Sequence, residues 1–217
     1  MATNFKIAAQ NLTELFHQQQ AQHRIRLVSG STGKLYTQIL HGAPFDIFMA
    51  ADVERPALLE ERELAVPGSR RTYAVGQLAL LGRTPTDADT LSRGQFRSLA
   101  MANPQLAPYG LAAEQTLKHM RVQLGDEVKV VYGENVGQAY AMVASGNAEL
   151  GLIAHSLVRE RDHAWLVPNG YHMPIRQQLV LLQRAADNTA AQTFLAFLRG
   201  ADAERMIQTF GYLPAAS

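Results

Sequence analysis

Apolar positions along this chain keep changing their period. Phe5, Ala8, Leu12, Leu15 and Phe16 recur at helical spacing, whereas Arg24-Ile-Arg-Leu-Val28 alternates like a strand, and Leu35, Ile39 and Leu40 resume a helical stripe. Phe45 to Met49 reads as a buried strand, followed by a helix near 55–63. A longer β-like run spans Tyr73 to Leu81 and ends in a polar loop with Pro85. The alternation returns as strand 97–102, helix 110–121, strand 127–132, helix 136–145 and strand 149–153. Ile175 to Gln183 reads as a further strand, and 189–199 and 201–209 read as helices separated by Gly200. Strands alternating with helices in two blocks predict an α/β protein with mostly parallel sheets and crossover helices.

Composition narrows the class. With 217 residues, 47% of them hydrophobic, the chain is long enough for one large domain or two lobes of about 100 residues each. Lys and Arg number 20 against 19 Asp and Glu, a net charge of +1 with no basic run, so neither a nucleic acid nor a membrane surface is an expected partner. The absence of cysteine excludes disulfides, thiolate metal sites and a cysteine nucleophile. No stretch reaches the roughly 18 to 20 apolar residues that span a bilayer. Met1 runs directly into Ala2-Thr3-Asn4, without the basic and apolar regions of a signal peptide.

Candidate chemistry lies in the loops. In α/β sheets, ligands bind beyond the carboxyl ends of the strands, where helix N-termini point their N–H groups. Four stretches place small or polar residues there: Thr3-Asn4, Ser29 to Gly33, Asn103 to Gly110, and Gly133 to Gly137. They offer hydroxyls, an amide and backbone N–H groups, with Lys34 and Glu134 the only nearby charges. Such fixed dipoles can replace the hydration shell of a small oxyanion. Each stretch also has an ordinary reading: Ser29 to Gly33 as a capped helix start, the Asn-Pro and Pro-Tyr-Gly pieces as turns, Asn135 as a helix entry. Gly33-Lys34 is followed by Leu35, so no phosphate-binding Walker loop is present. The seven histidines form no H-E-x-x-H, no G-x-S-x-G elbow marks a serine hydrolase, and Trp165 with Tyr171 reads as packed aromatics.

Read in order, the loops form a recognisable set: Ala2-Thr-Asn-Phe5; Ser29-Gly-Ser-Thr-Gly33 with Tyr36 and Gln38; Gly42-Ala-Pro-Phe-Asp46 leading to Ala50-Ala-Asp52; Asn103-Pro-Gln-Leu-Ala-Pro-Tyr-Gly110; and Glu134-Asn-Val-Gly-Gln138. On these the chain resembles, over nearly its whole length, the periplasmic molybdate-binding proteins of molybdate ABC importers, within the type II substrate-binding proteins. The resemblance implies two lobes, each a mixed, mostly parallel sheet flanked by helices, joined by crossover strands near 73–82 and 175–183. Lobe I would take residues 1–77 and 180–217, and lobe II residues 78–179, with the ligand in the cleft between them. A tetrahedral oxyanion would be held without cationic side chains by Thr3, Asn4, Ser31, the Tyr109 N–H and the Val136 N–H. Where other members add a tyrosine hydroxyl after the strand at 149–153, this chain has Ala154.

The resemblance further implies a monomeric carrier, not an enzyme, whose ligand is molybdate or tungstate and whose partner is a membrane permease. It implies no cofactor, no metal held as a cation, no nucleic acid and no membrane insertion. The other readings are a binding protein for sulfate or another tetrahedral oxyanion, and a stand-alone effector-sensing domain. Family members usually begin with a signal peptide and a strand that ends at the Thr-Asn loop, whereas this sequence starts at that loop. The expected location is the periplasm, or the cytoplasm if the short N-terminus is genuine, and the first sheet is expected to be one strand short.

Overall fold

The computed structural model describes residues 1–158 and 163–215. In chain order the elements are α1 (Lys6–Gln19), α2 (Thr32–Leu40), β1 (Ile47–Met49), α3 (Glu54–Glu61), β2 (Arg71–Gly76), β3 (Leu78–Gly82), α4 (Ala88–Ser92), β4 (Ser98–Ala102), α5 (Pro108–His119), β5 (Lys129–Gly133), α6 (Val136–Ala144), β6 (Leu150–Ala154), β7 (Trp165–Leu166), β8 (Ile175–Leu181), α7 (Thr189–Phe197) and α8 (Ala201–Thr209). The chain divides into two compact units: Met1–Val75 with Arg176–Ser217, and Gly76–Ile175.

In the first unit the sheet order is β1-β8-β2, with β8 antiparallel to β1 in the register Ile47 to Leu181 and Met49 to Leu179. Successive side chains of a strand point to opposite faces. Leu179 and Leu181 accordingly enter one core with Phe5, Leu12 and Phe16 of the first helical stripe and with Phe194 and Ile207. Val180 and Leu182 enter a second core with Leu35, Ile39, Phe48 and Leu59. Phe5, Leu12 and Phe16 are completely buried, and Phe16 meets Phe194 edge to face at 5.1 Å. Edge-to-face geometry adds about 0.5 to 1.5 kcal/mol to the burial of such a pair.

Arg24 to Val28 does not form the strand that its alternation predicts. Ile25 and Leu27 do pack against the first core. The backbone of this stretch lacks a ladder, because among the described residues its bonds run to Met1, whose amine donates to the Val28 carbonyl at 2.6 Å, and to the His17 ring, which accepts from the Ile25 N–H at 3.2 Å. Residues 1–3 lie between two chain segments. The Ala2 N–H donates to Met49 O at 2.9 Å, the Thr3 N–H to Gly30 O at 3.1 Å, and the Gly30 N–H to Met1 O at 3.3 Å. Ala2 and Gly30 thus form an isolated parallel bridge. Upstream of that bridge is a cavity of about 440 Å³, lined by residues 24–28, by residues 44–49, by Phe194 and by Met1 itself.

The β-like run from Tyr73 to Leu81 breaks at Gln77 into β2 and β3, which belong to different sheets. The second unit has sheet order β5-β4-β6-β3-β7, with β4 parallel to both β5 and β6, and β3 antiparallel to β6 and β7. Its central strands are apolar without alternation, as expected for strands covered on both faces, and every residue of β6 is buried. Two elements went unpredicted. α4 opens on a capping box, with Asp87 Oδ1 accepting the Thr90 N–H at 2.7 Å and Thr90 Oγ1 accepting the Asp87 N–H at 3.1 Å. The Thr90 hydroxyl, which donates to Asp87 Oδ1 at 2.6 Å, and then the Thr90 N–H hold the Asp87 carboxyl below its usual range. β7 is only two residues long, and its Trp165 packs edge to face on Tyr171, which in turn stacks on His119 with ring centroids 4.3 Å apart.

Candidate functional site

The first unit brings Thr3, Asn4 and Ser31 together. Thr3 and Asn4 form a single 3-10 turn that leads into α1, and the Ala2–Gly30 bridge sets that turn beside the start of α2. Ser31 caps α2: its Oγ accepts the Lys34 N–H at 3.3 Å, which leaves the hydroxyl proton to be directed elsewhere. The next residue, Thr32, accepts the Ala51 N–H at 3.1 Å and so ties the helix start to the Ala50-Ala-Asp52 stretch. Thr3 Oγ1 is buried and meets no hydrogen-bond partner. A buried hydroxyl of this kind costs about 1 to 3 kcal/mol unless something pairs with it. The Asn4 side chain is engaged inward, its Nδ2 donating to Gln177 Oε1 at 2.9 Å and to the Tyr212 hydroxyl at 3.0 Å.

The second unit brings Tyr109 and Val136 together. β4 and β5 run parallel as neighbours, so the loops after them lie side by side, joined by a 2.7 Å bond from the Asn103 N–H to Gly133 O. Each loop opens a helix. Tyr109 is in the first turn of α5, and Val136 is the first residue of α6. First-turn amides have no acceptor within their own helix and point outward along its axis. Asn135 caps α6 by accepting the Gln138 N–H at 3.1 Å, while Gln138 Oε1 accepts the Glu134 N–H at 2.7 Å. The approach of α5 to β4 depends on Gly110, where a Cβ would fall 2.3 Å from Ala102 O.

Residues 1–213 match the family model described as bacterial extracellular solute-binding protein. The chain belongs to that family. As a solute-binding protein of this kind it is 38% identical, over 98% of its length, to the molybdate-binding protein ModA of Rhodobacter capsulatus, of which 86% is covered. It is also 38% identical to the ModA of Azotobacter vinelandii, covering 98% of this chain and 87% of that one. A solved structure of the Azotobacter vinelandii periplasmic molybdate-binding protein superposes with a TM-score of 0.91 at 36% identity, covering 98% of this chain and 96% of that one.

In this solute-binding protein the charged residues of the four loops stay in water. Lys34 and Glu134 are both exposed. Burial raises the Asp52 carboxyl above its usual range, an effect that its ion pair with Arg55 partly offsets. Among the described residues no three His, Cys, Asp or Glu side chains gather as metal ligands, and no helix is long and apolar enough to cross a membrane. Sequence reasoning missed Gln177, Tyr73 and Tyr212. Each lies far along the chain from Asn4, in a strand or tail that reads as core, and only a buried polar residue at an otherwise apolar position signals them.

Proposed function

We propose that this chain binds molybdate or tungstate and carries it to the membrane permease of an ABC-type importer. The observation that carries the reading is the buried, unpartnered Thr3 hydroxyl beside Ser31. The resemblance to molybdate-binding proteins over 98% of the chain supports it. The proposed donors to a tetrahedral oxyanion are Thr3, Ser31 and the main chain of Asn4 in the first unit and the Tyr109 and Val136 amides in the second, because the Asn4 side chain is engaged with Gln177 and Tyr212. The role is binding and delivery, without a cofactor, from a periplasmic location shared with the family.

Selection among anions follows from donor chemistry. Molybdate and tungstate are larger than sulfate, so donors set at their radius leave sulfate under-coordinated. Phosphate keeps a proton at neutral pH, and a site lined by donors gives that proton no acceptor. With no cationic side chain in the set, affinity comes from charge-assisted hydrogen bonds, each contributing about 1.5 to 3 kcal/mol.

The test is thermal unfolding with molybdate, tungstate, sulfate and phosphate at matched ionic strength. At 100 times its dissociation constant a ligand adds about 2.7 kcal/mol, which moves the midpoint by several degrees. A shift with molybdate and tungstate alone is expected; an equal shift with sulfate would reassign the substrate, and no shift with any anion would remove the reading. Ser31→Ala is expected to weaken molybdate binding by about 1.5 to 3 kcal/mol in titration calorimetry. It should also cost the anion-free protein about 1 kcal/mol of stability through the lost cap. Unchanged affinity would take Ser31 out of the site.

A further inference from the structure

Four buried polar side chains meet behind the Thr3-Asn4 turn. Asn4 is 2% exposed, Gln177 0%, Tyr73 5% and Tyr212 3%, and they come from the chain start, β8, β2 and the segment after α8. Tyr212 holds Asn4 twice: its hydroxyl donates to Asn4 O at 2.9 Å and accepts from Asn4 Nδ2 at 3.0 Å. Gln177 Oε1 accepts from Asn4 Nδ2 at 2.9 Å and faces the Tyr73 hydroxyl at 3.0 Å. That hydroxyl also reaches Ala50 O at 3.1 Å, just ahead of the residue whose N–H binds Thr32. Phe5 closes the cluster, with its ring 4.8 Å from Tyr73 and 5.4 Å from Tyr212.

An all-apolar core would hold α1 in place without these groups. What the polar cluster adds is direction, because hydrogen bonds to both the carbonyl and the side-chain amide of Asn4 fix the rotation of the turn that carries Thr3. Two of the contributing strands, β2 and β8, are those along which the chain leaves and re-enters the first unit. We propose that Gln177, together with Tyr73 and Tyr212, is a positioning residue that sets the Thr3 donor at the radius of the larger oxyanions and so determines discrimination against sulfate. The inference rests on the oxyanion reading above and assigns its selectivity to residues that do not touch the anion.

The experiment measures molybdate and sulfate dissociation constants by calorimetry, with the anion-free melting midpoint, for the unsubstituted chain, Gln177→Met, Tyr212→Phe, Tyr73→Phe and Gln177→Glu. Gln177→Met and Tyr212→Phe are expected to weaken molybdate binding tenfold or more while sulfate changes less, so the ratio of the two constants narrows. Tyr73→Phe removes a hydroxyl that bonds Gln177 and Ala50 rather than Asn4 itself, and narrows the ratio less; it also serves if the other variants fail to fold. Gln177→Glu keeps an acceptor for Asn4 and Tyr73 and is expected to preserve the ratio, even though its charge weakens both anions alike. A ratio unchanged in Gln177→Met, Tyr212→Phe and Tyr73→Phe, with only the melting midpoint lowered, would overturn the proposal. If the unsubstituted chain binds no oxyanion, the functional reading falls first and the positioning role falls with it.

Discussion

The polypeptide of residues 1–217 is expected to lose up to about 4 kcal/mol of stability between pH 8 and pH 5, and six added strand-forming residues ahead of Met1 are expected to abolish that loss. Burial lowers the Met1 amine from 8.0 to about 5. As pH falls below 8 the unfolded chain takes up a proton that the folded chain refuses. Stability therefore declines through the window and levels off once the folded amine also protonates near pH 5. Met1 lines the cavity between residues 24–28 and 44–49, and residues 1–3 already hydrogen-bond to both flanking segments. An extension of alternating valine and threonine continues the chain from the Ala2–Gly30 parallel bridge into the cavity and moves the amine out of it. Ladder bonds of about 1 kcal/mol each and a few buried side chains, set against about 1 to 2 kcal/mol of ordering entropy per residue, give a net gain of about 2 to 4 kcal/mol at pH 7. Urea unfolding of both chains at several pH values measures this. Equal pH slopes for the two would show that the amine is not the group responsible, and an unchanged stability at pH 7 would show that the cavity does not take a strand.

Gly110→Ala is expected to destabilise the protein by about 3 to 5 kcal/mol and to lower molybdate affinity more than tenfold. A Cβ there would sit 2.3 Å from Ala102 O and 2.8 Å from both Asn103 C and Pro104 N. All three are backbone atoms at the end of β4 and in the loop it feeds, so no side chain can rotate away. The start of α5 must retreat, taking the Tyr109 N–H with it. Gly170→Ala is the control, since a Cβ at that residue meets nothing within 4 Å. It should change stability by no more than about 0.5 kcal/mol. Equal urea midpoints for the two variants would mean that α5 does not press on β4 as tightly as the distances indicate.

How far the sequence carried depended on whether each signal was local. Helical stripes such as Phe5, Leu12 and Phe16, and the continuous apolar strands β4 and β6, announce themselves because burial on one or both faces leaves a periodic trace. Loops at the ends of parallel strands were legible for the same reason, being the breaks between two periods. Arg24 to Val28 shows the limit of periodicity. Alternation records which side chains face inward, and Ile25 and Leu27 do, but a strand also needs a neighbour that no periodicity reports. The Asp87 and Thr90 capping pair is a local signal, but the five-residue helix that it opens is too short to show a stripe. Gln177 and Tyr212 had no local signal, since the partner that explains them lies more than a hundred residues away.

The division of the chain into one interrupted and one continuous unit has a consequence for biosynthesis. Gly76–Ile175 is a single stretch, so all of its strands leave the ribosome together and can pair as they emerge. The other unit lacks its middle strand β8 until residues 175–181 are made, and the Val75 to Leu213 pairing closes it only at the tail. Asn4 is made 208 residues before Tyr212, whose hydroxyl bonds to it. A growing chain thus holds every strand of the second unit before β8 is complete, and the bonds between Asn4 and Tyr212 wait for the later segment of the first unit.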